Sequence, residues 1–257
     1  MTPLLELRHV TKTYGDPADP LHALNDISFQ IERREFVCMV GPSGGGKSTL
    51  LRLIAGLLQP TSGEIELDGE AVTGPSPRVG IVFQNINLMP WRTVLDNVVL
   101  PLELAGESRT VRYPTANEFI ELVGLKGFAD HYPHQLSGGM QQRAAIARTL
   151  AHDPEILLLD EPFGALDAIT REHLNRELLR IQQLKHQTIF MVTHDINEAV
   201  FLSNRVLVLS RRPGAVKRDI PISLPHPRTD DLLTDPAFLG LVREVRAAID
   251  RPVARIQ

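Results

Sequence analysis

The sequence is most informative first in what it lacks. It has a single cysteine, Cys38, which excludes an intramolecular disulfide framework and fits a reducing compartment. Cys38 lies in the apolar run FVCMV, where it reads as a small core residue. No run approaches the ~20 apolar residues of a membrane-spanning helix. The nearest, LLRLIAGLL, is too short and carries Arg52. The chain is therefore not expected to cross a bilayer unaided. Its start, MTPLLELRHVTKTYG, has no basic head followed by a long apolar stretch, so no secretory signal is expected. Positive charge is not in excess: 27 Lys and Arg stand against 31 Asp and Glu. Nucleic acid is accordingly not an expected partner. There are nine histidines, but His131 and His134 are separated by Pro133 and adjoin no cysteine or carboxylate cluster. No metal site is expected there.

What is present is an alternation. The 257 residues suffice for one large domain, or for a domain with an inserted lobe. Short β-rich apolar runs recur at FVCMV (36–40), VGIVF (79–83), ILLL (156–159), TIFMV (188–192) and VLVL (206–209). They read as strands buried on both faces. Helical patterns lie between them. STLLRLIAGLL follows the first, and residues 171–186 precede TIFMV with Leu174, Leu178 and Ile181 on one stripe. Alternating strands and helices predict an α/β fold. From about Asn87 to Pro154 the pattern is helical, including TVLDNVVLPLELAG and TANEFIELVGL, and suggests an inserted helical lobe. Beyond Ser210 a Pro- and Arg-rich stretch predicts a short strand and an extended link. A terminal amphipathic helix follows, with Asp235 as N-cap and Pro236 in its first turn. Phe238, Leu241, Val242, Val245 and Ile249 are at helical spacing, and Pro252 should stop the helix. The expected division is 1–86, the first part of the α/β core; 87–154, the helical insert; 155–212, the rest of the core; and 213–257, a C-terminal extension.

The polar residues fall at the ends of the apolar runs. FVCMV leads into GPSGGGKST, which completes the pattern G-x-x-x-x-G-K-[ST] with Gly41, Gly46, Lys47 and Ser48. Such glycines let the backbone curl around phosphate oxygens, the lysine reaches the terminal phosphates and the serine can ligate Mg²⁺. ILLL ends in Asp160-Glu161-Pro162. Carboxylates at the end of an apolar strand are costly without compensation, which a nucleotide-bound Mg²⁺ supplies. Asp160 then orients the metal, and Glu161 is placed to activate a water. VGIVF is followed by Gln84, and TIFMVT by His194. Four runs thus deliver candidate site residues to their carboxyl ends, the edge at which parallel α/β sheets bind ligands. A second phosphate-type turn, HQLSGGMQQR (134–143), places a serine and two glycines before a helical run.

Taken in order, Tyr14, GPSGGGKST, Gln84, LSGGMQQR, LLLDEP, Gly164-Ala165-Leu166-Asp167 and His194 resemble the ATP-binding cassette (ABC) ATPases over about Thr11 to Asn204. The resemblance implies a P-loop NTPase core with a mostly parallel sheet, an N-terminal antiparallel β subdomain and an inserted α-helical subdomain. It implies ATP and Mg²⁺ as ligands. Tyr14 would stack on adenine, and Gly41, Pro42, Ser43, Gly44, Gly45, Gly46, Lys47, Ser48 and Thr49 would hold phosphates and metal. Gln84 would sense metal and water, Asp160 would hold the metal, Glu161 would polarise water and His194 would hold the γ-phosphate. Ser137, Gly138 and Gly139 would serve the nucleotide of a second cassette, and Asp167 would bridge the pair. Two departures stand out: Met140 replaces a common Gln, and Gly45 a common Cys or Ser. The stretch NINLMPWRTVLDNVVLPLELAG and the tail RRPGAVKRDIPISLPHPR are similar to the nitrate, sulfonate and taurine importer cassettes.

The expected function is therefore the ATP-hydrolysing subunit of an importer. It would work as a pair, expected to be a homodimer, on transmembrane permease subunits at the cytoplasmic face of the membrane. A solute-binding protein would be an indirect partner. Trp91, just after Gln84, reads equally as a permease contact or as a buried lobe residue. The alternative is a soluble cassette acting on a scaffold or ribosome. The acidic pI and the single cassette speak against a ribosomal role; a single cassette permits a scaffold role, against which the importer-like segments and tail speak.

Overall fold

The computed structural model describes residues 2–16 and 19–250. They form two compact units, one made of the described residues up to Ser76 and from Thr188 onward, the other of Pro77–Gln187.

In the first unit β1 (Leu5–Tyr14) pairs antiparallel with β2 (Leu21–Ile31). The run FVCMV forms β3 (Phe36–Val40), buried at every position. Lys47 opens α1 (Lys47–Ile54), which is shorter than the pattern STLLRLIAGLL suggests because Gly56 turns the chain at φ 70°. Next come β4 (Ser62–Leu67), antiparallel to β1, and the two-residue β5 (Glu70–Ala71). The antiparallel sheet runs β2-β1-β4-β5.

The second unit begins with β6 (Val79–Val82), then α2 (Val94–Leu104), α3 (Arg109–Leu122) and α4 (Gly138–Leu150). Strand β7 (Ile156–Asp160) lies parallel to β6, and α5 (Ala168–Lys185) closes the unit. Leu174, Leu178 and Ile181 are buried, as their spacing predicts. Strand β6 falls short of the expected burial: Val79 and Ile81 are only half-buried. Trp91 is 72% exposed, so its reading as a buried lobe residue does not hold.

The chain returns to the first unit with β8 (Thr188–Val192), α6 (Ile196–Leu202), β9 (Arg205–Leu209), β10 (Val216–Pro221) and α7 (Pro236–Asp250). Here β8, β3 and β9 are parallel neighbours, and β10 runs antiparallel to β9. Apolar strands covered on both faces explain why this sheet reads as continuous hydrophobic runs. Asp235 caps α7 by accepting from the Ala237 N–H at 2.7 Å. Phe238, Val242 and Val245 are buried as expected; Ala248 joins them, while Leu241 and Ile249 are only half-buried. Pro252, the expected stop, lies outside the described residues. Among the described residues no helix is long and apolar enough to cross a membrane.

Candidate functional site

The first unit carries the phosphate loop. It leaves β3 at Gly41 and enters α1 at Lys47. Gly44 and Gly46 sit at φ 74° and 97°, conformations that favour glycine. Gly46 is the N-cap of α1 and brings no side chain to its first turn. A helix start without a capping side chain, with the positive end of the helix dipole, suits an anion. Lys47 is only 7% exposed, and its ammonium donates to the carbonyls of Gly41 at 2.9 Å and Pro42 at 3.1 Å. These bonds fold the lysine back over the loop it must neutralise. The Tyr14 hydroxyl lies 3.5 Å from Thr49 Oγ1, which places its ring beside the loop, and Lys12 Nζ sits 5.2 Å from the ring centroid. Gly45 fits where a larger residue would not. A Cβ there would stand 2.9 Å from the Ser210 carbonyl and 3.0 Å from that of Pro42.

His194 belongs to the same unit. Strand β8 runs parallel beside β3 with Met39 opposite Val192, and the Thr193 N–H donates to the Met39 carbonyl at 3.1 Å. His194 thus leaves its strand next to the start of the phosphate loop, and it is exposed. Residue patterns did not single out the groups that shape its turn. The buried Thr193 hydroxyl bonds Glu198 Oε2 and accepts from the Asp195 N–H at 3.0 Å. Asp195 caps α6 through the N–H groups of Asn197 and Glu198. The available signal was the run Thr-His-Asp before a helix, with Asp as N-cap.

The second unit brings the other candidates together in two groups. Val82 of β6 pairs with Leu159 of β7, so Gln84 and the pair Asp160-Glu161 leave neighbouring strand ends. Asp160 is 8% exposed, a carboxylate at the end of a strand of buried Ile and Leu. Glu161 sits at φ 45°, a left-handed conformation uncommon for a non-glycine residue and found at functional turns. The second group is the serine–glycine turn. Ser137 caps α4 by accepting from the Met140 N–H at 3.3 Å, and Ser137 and Gly138 are exposed. A Cβ on Gly138 would lie 3.3 Å from Leu166, and one on Gly139 would lie 2.9 Å from Thr170. The turn therefore packs against Leu166 and against the first turn of α5, on either side of its N-cap Asp167. The N–H of Thr170, then its hydroxyl, hold the Asp167 carboxyl below its usual range.

In the second unit Asp160 and Gln84 offer carboxylate and amide oxygens, and in the first unit Ser48 offers a hydroxyl; oxygens of this kind are the hard donors that suit Mg²⁺ rather than a softer metal. A glycine loop with a buried lysine and an uncapped helix is chemistry for a polyphosphate. The fold and these sites define an α/β P-loop nucleotide-binding protein with a second, signature-type phosphate turn.

The comparisons narrow that class. Residues 24–164 match the family model described as ABC transporter. The nitrate import ATP-binding protein NrtD of a Synechocystis species is 47% identical over 251 residues, covering 95% of this chain and 94% of that protein. The aliphatic sulfonates import ATP-binding protein SsuB of Bacillus cereus is 47% identical over 225 residues, covering 88% of each. Among solved structures, the ATP-binding cassette MJ0796, in a dimeric post-hydrolysis state bound to ADP and Pi, superposes with a TM-score of 0.75. It is 38% identical and covers 86% of this chain and 100% of its own. The chain belongs to the ABC transporter family. It is an ATP-hydrolysing transporter subunit, as its motifs predict.

Proposed function

We propose that this chain energises the import of nitrate, a sulfonate, taurine or a related small solute. It would work as one of a pair of cassettes at the cytoplasmic face of a membrane, docked on permease subunits that receive solute from a binding protein. The observation that carries the pairing is the exposed Ser137-Gly138 turn: a helix N-terminus ready for a phosphate, in a chain that already has a complete phosphate loop. The dimeric, ADP- and Pi-bound state of the relative MJ0796 supports the same reading. The names of the nitrate and sulfonate relatives support the solute class.

Under this reading the residues divide the work. Gly41 through Gly46 wrap the phosphates with backbone N–H groups, Lys47 neutralises them, and Tyr14 stacks on the base. Ser48, Asp160 and Gln84 would hold Mg²⁺. When bound, that ion supplies charge neutralisation on the phosphoryl oxygens. Glu161 takes a proton from the attacking water, and His194 donates to the terminal phosphate. Ser137, Gly138 and Gly139 close on the partner's nucleotide, and Asp167 links the two cassettes. Residues 87–154 form the inserted lobe that meets the permease, with the exposed Trp91 on it, and 213–257 form the extension.

Gentle extraction of the tagged chain with its native membranes tests the proposal. A permease should co-purify, and the associated binding protein should bind nitrate or alkanesulfonates in a solute screen. Recovery with a soluble scaffold or ribosome, and no membrane partner, would sink the importer reading and leave the ATPase assignment standing.

A further inference from the structure

The phosphate loop has a back wall made of the chain that follows β9. Three glycines bring backbone against backbone there. A Cβ on Gly41 would lie 2.8 Å from the Leu209 carbonyl, one on Gly45 2.9 Å from that of Ser210, and one on Gly214 only 2.2 Å from the Gly45 carbonyl. The wall is itself held in shape. The Ser210 N–H donates to the Ala215 carbonyl at 2.9 Å, and the Ala215 N–H donates to Ser210 Oγ at 2.9 Å. Ser210 Oγ also lies 2.9 Å from the Pro213 carbonyl. Gly214 is stitched to β2 as well: its N–H donates to the Ala23 carbonyl at 2.9 Å, and its carbonyl accepts from the Asn25 N–H at 2.8 Å. From this wall Arg212 Nε donates to the Gly44 carbonyl at 3.2 Å. The other end of that peptide is also held, because the Gly45 N–H donates to the Pro42 carbonyl at 3.1 Å.

A peptide of two glycines is the least restrained link a loop can contain. Here it is pinned at both ends, at the carbonyl by a charged donor, and such bonds are stronger than neutral ones. We propose that Arg212 is a positioning residue: it holds the Gly44–Gly45 peptide in the phosphate-receiving conformation and so sets nucleotide affinity through the loop. The proposal rests on reading 41–49 as the nucleotide loop. Pre-organising a binding loop lowers the ordering cost of binding, so losing the clamp should weaken any ligand the loop wraps. Because the backbone of such loops cradles the inner phosphates, di- and triphosphates should suffer alike.

The experiment is equilibrium titration of the full chain with Mg·ADP and with a non-hydrolysable Mg·ATP analogue, in wild type, Arg212→Ala, Arg212→Lys and Gly214→Ala. Arg212→Ala should weaken both nucleotides about tenfold, the scale of one lost charge-assisted hydrogen bond. Arg212→Lys should recover part of that loss. Gly214→Ala should also weaken both, since its methyl meets the Gly45 carbonyl. In ATPase assays Arg212→Ala should raise KM and leave kcat near wild type. Arg212 is exposed, so its variants should unfold thermally like wild type without nucleotide. Should Gly214→Ala fail to fold, the two Arg212 variants decide the matter. Unchanged affinities in Arg212→Ala overturn the proposal, as does a loss confined to the ATP analogue, which would mean direct contact with the third phosphate. A wild-type chain that bound neither nucleotide would instead bring down the reading of the loop itself, and the clamp with it.

Discussion

The two phosphate turns solve one chemical problem in opposite ways. The loop at 41–47 is uncapped by any side chain, carries a buried lysine and is backed by the chain at 209–214. The turn at 137–139 has no lysine, and its glycines meet the side chains of Leu166 and Thr170 rather than backbone. Its serine occupies one N–H of its own helix with a 3.3 Å bond, and its first two residues face solvent. The first is built to retain an anion. The second offers only a helix end and a hydroxyl, worth little in water, and gains strength when solvent is excluded. A retaining site and a presenting site on one chain make sense if the second acts on a ligand already held by a partner cassette.

The largest break in this comparison should come from neither turn. Glu161→Gln should leave nucleotide binding intact and slow phosphate release by about a thousandfold, the scale of a general base. ATP-dependent pairs of that variant should persist in size-exclusion chromatography; near-normal turnover would remove Glu161 from the role. Next, Lys47→Ala should weaken nucleotide binding about a hundredfold, since it removes a cation that also satisfies two loop carbonyls. Ser137→Arg separates the turns most directly. A single chain should bind ATP as wild type does, while ATP-dependent pairing disappears in light scattering; surviving pairs would refute the presenting role.

The smallest effect concerns Asp167. Its carboxyl is held below the ordinary 3.8 by Thr170, so the unfolded chain takes up its proton at a higher pH than the folded one. That contribution is whole above the ordinary value and fades as pH falls through the lowered one. Asp167→Asn keeps a capping oxygen and should flatten this acid limb of the stability curve, read by denaturant unfolding between neutral pH and pH 3, with little change at neutrality.

Much of this was legible in the residues. FVCMV, TIFMV and ILLL announce buried parallel strands because both faces are covered, and GPSGGGKST states its chemistry by spacing alone. The spacing of Phe238, Val242 and Val245 gives α7. The N-terminal antiparallel strands were invisible to residue patterns and came only with the family resemblance. In β1 and β2 the alternation is broken by register shifts, with His9 and Asp26 both at φ 52°. The Arg212 clamp could not be read either. RRPG stands far from GPSGGGKST in the chain, and nothing local tells that its glycine will meet Gly45. Trp91 was undecided because exposure is a property of packing, not of composition.

One further feature reaches beyond its place in the fold. Helix α6 has only seven residues, too few to persist alone. Asp195 stands at its start. At its end the buried Arg228 guanidinium donates to the carbonyls of Val200 at 3.2 Å and Phe201 at 2.6 Å. Burial pushes the Arg228 pKa down to about 10, still well above neutrality, so the side chain remains a cation at the negative pole of the helix. The helix is a splint tied at both ends, and the farther knot is tied by the C-terminal extension. The C-terminal extension thereby helps to hold the helix that follows the turn carrying His194.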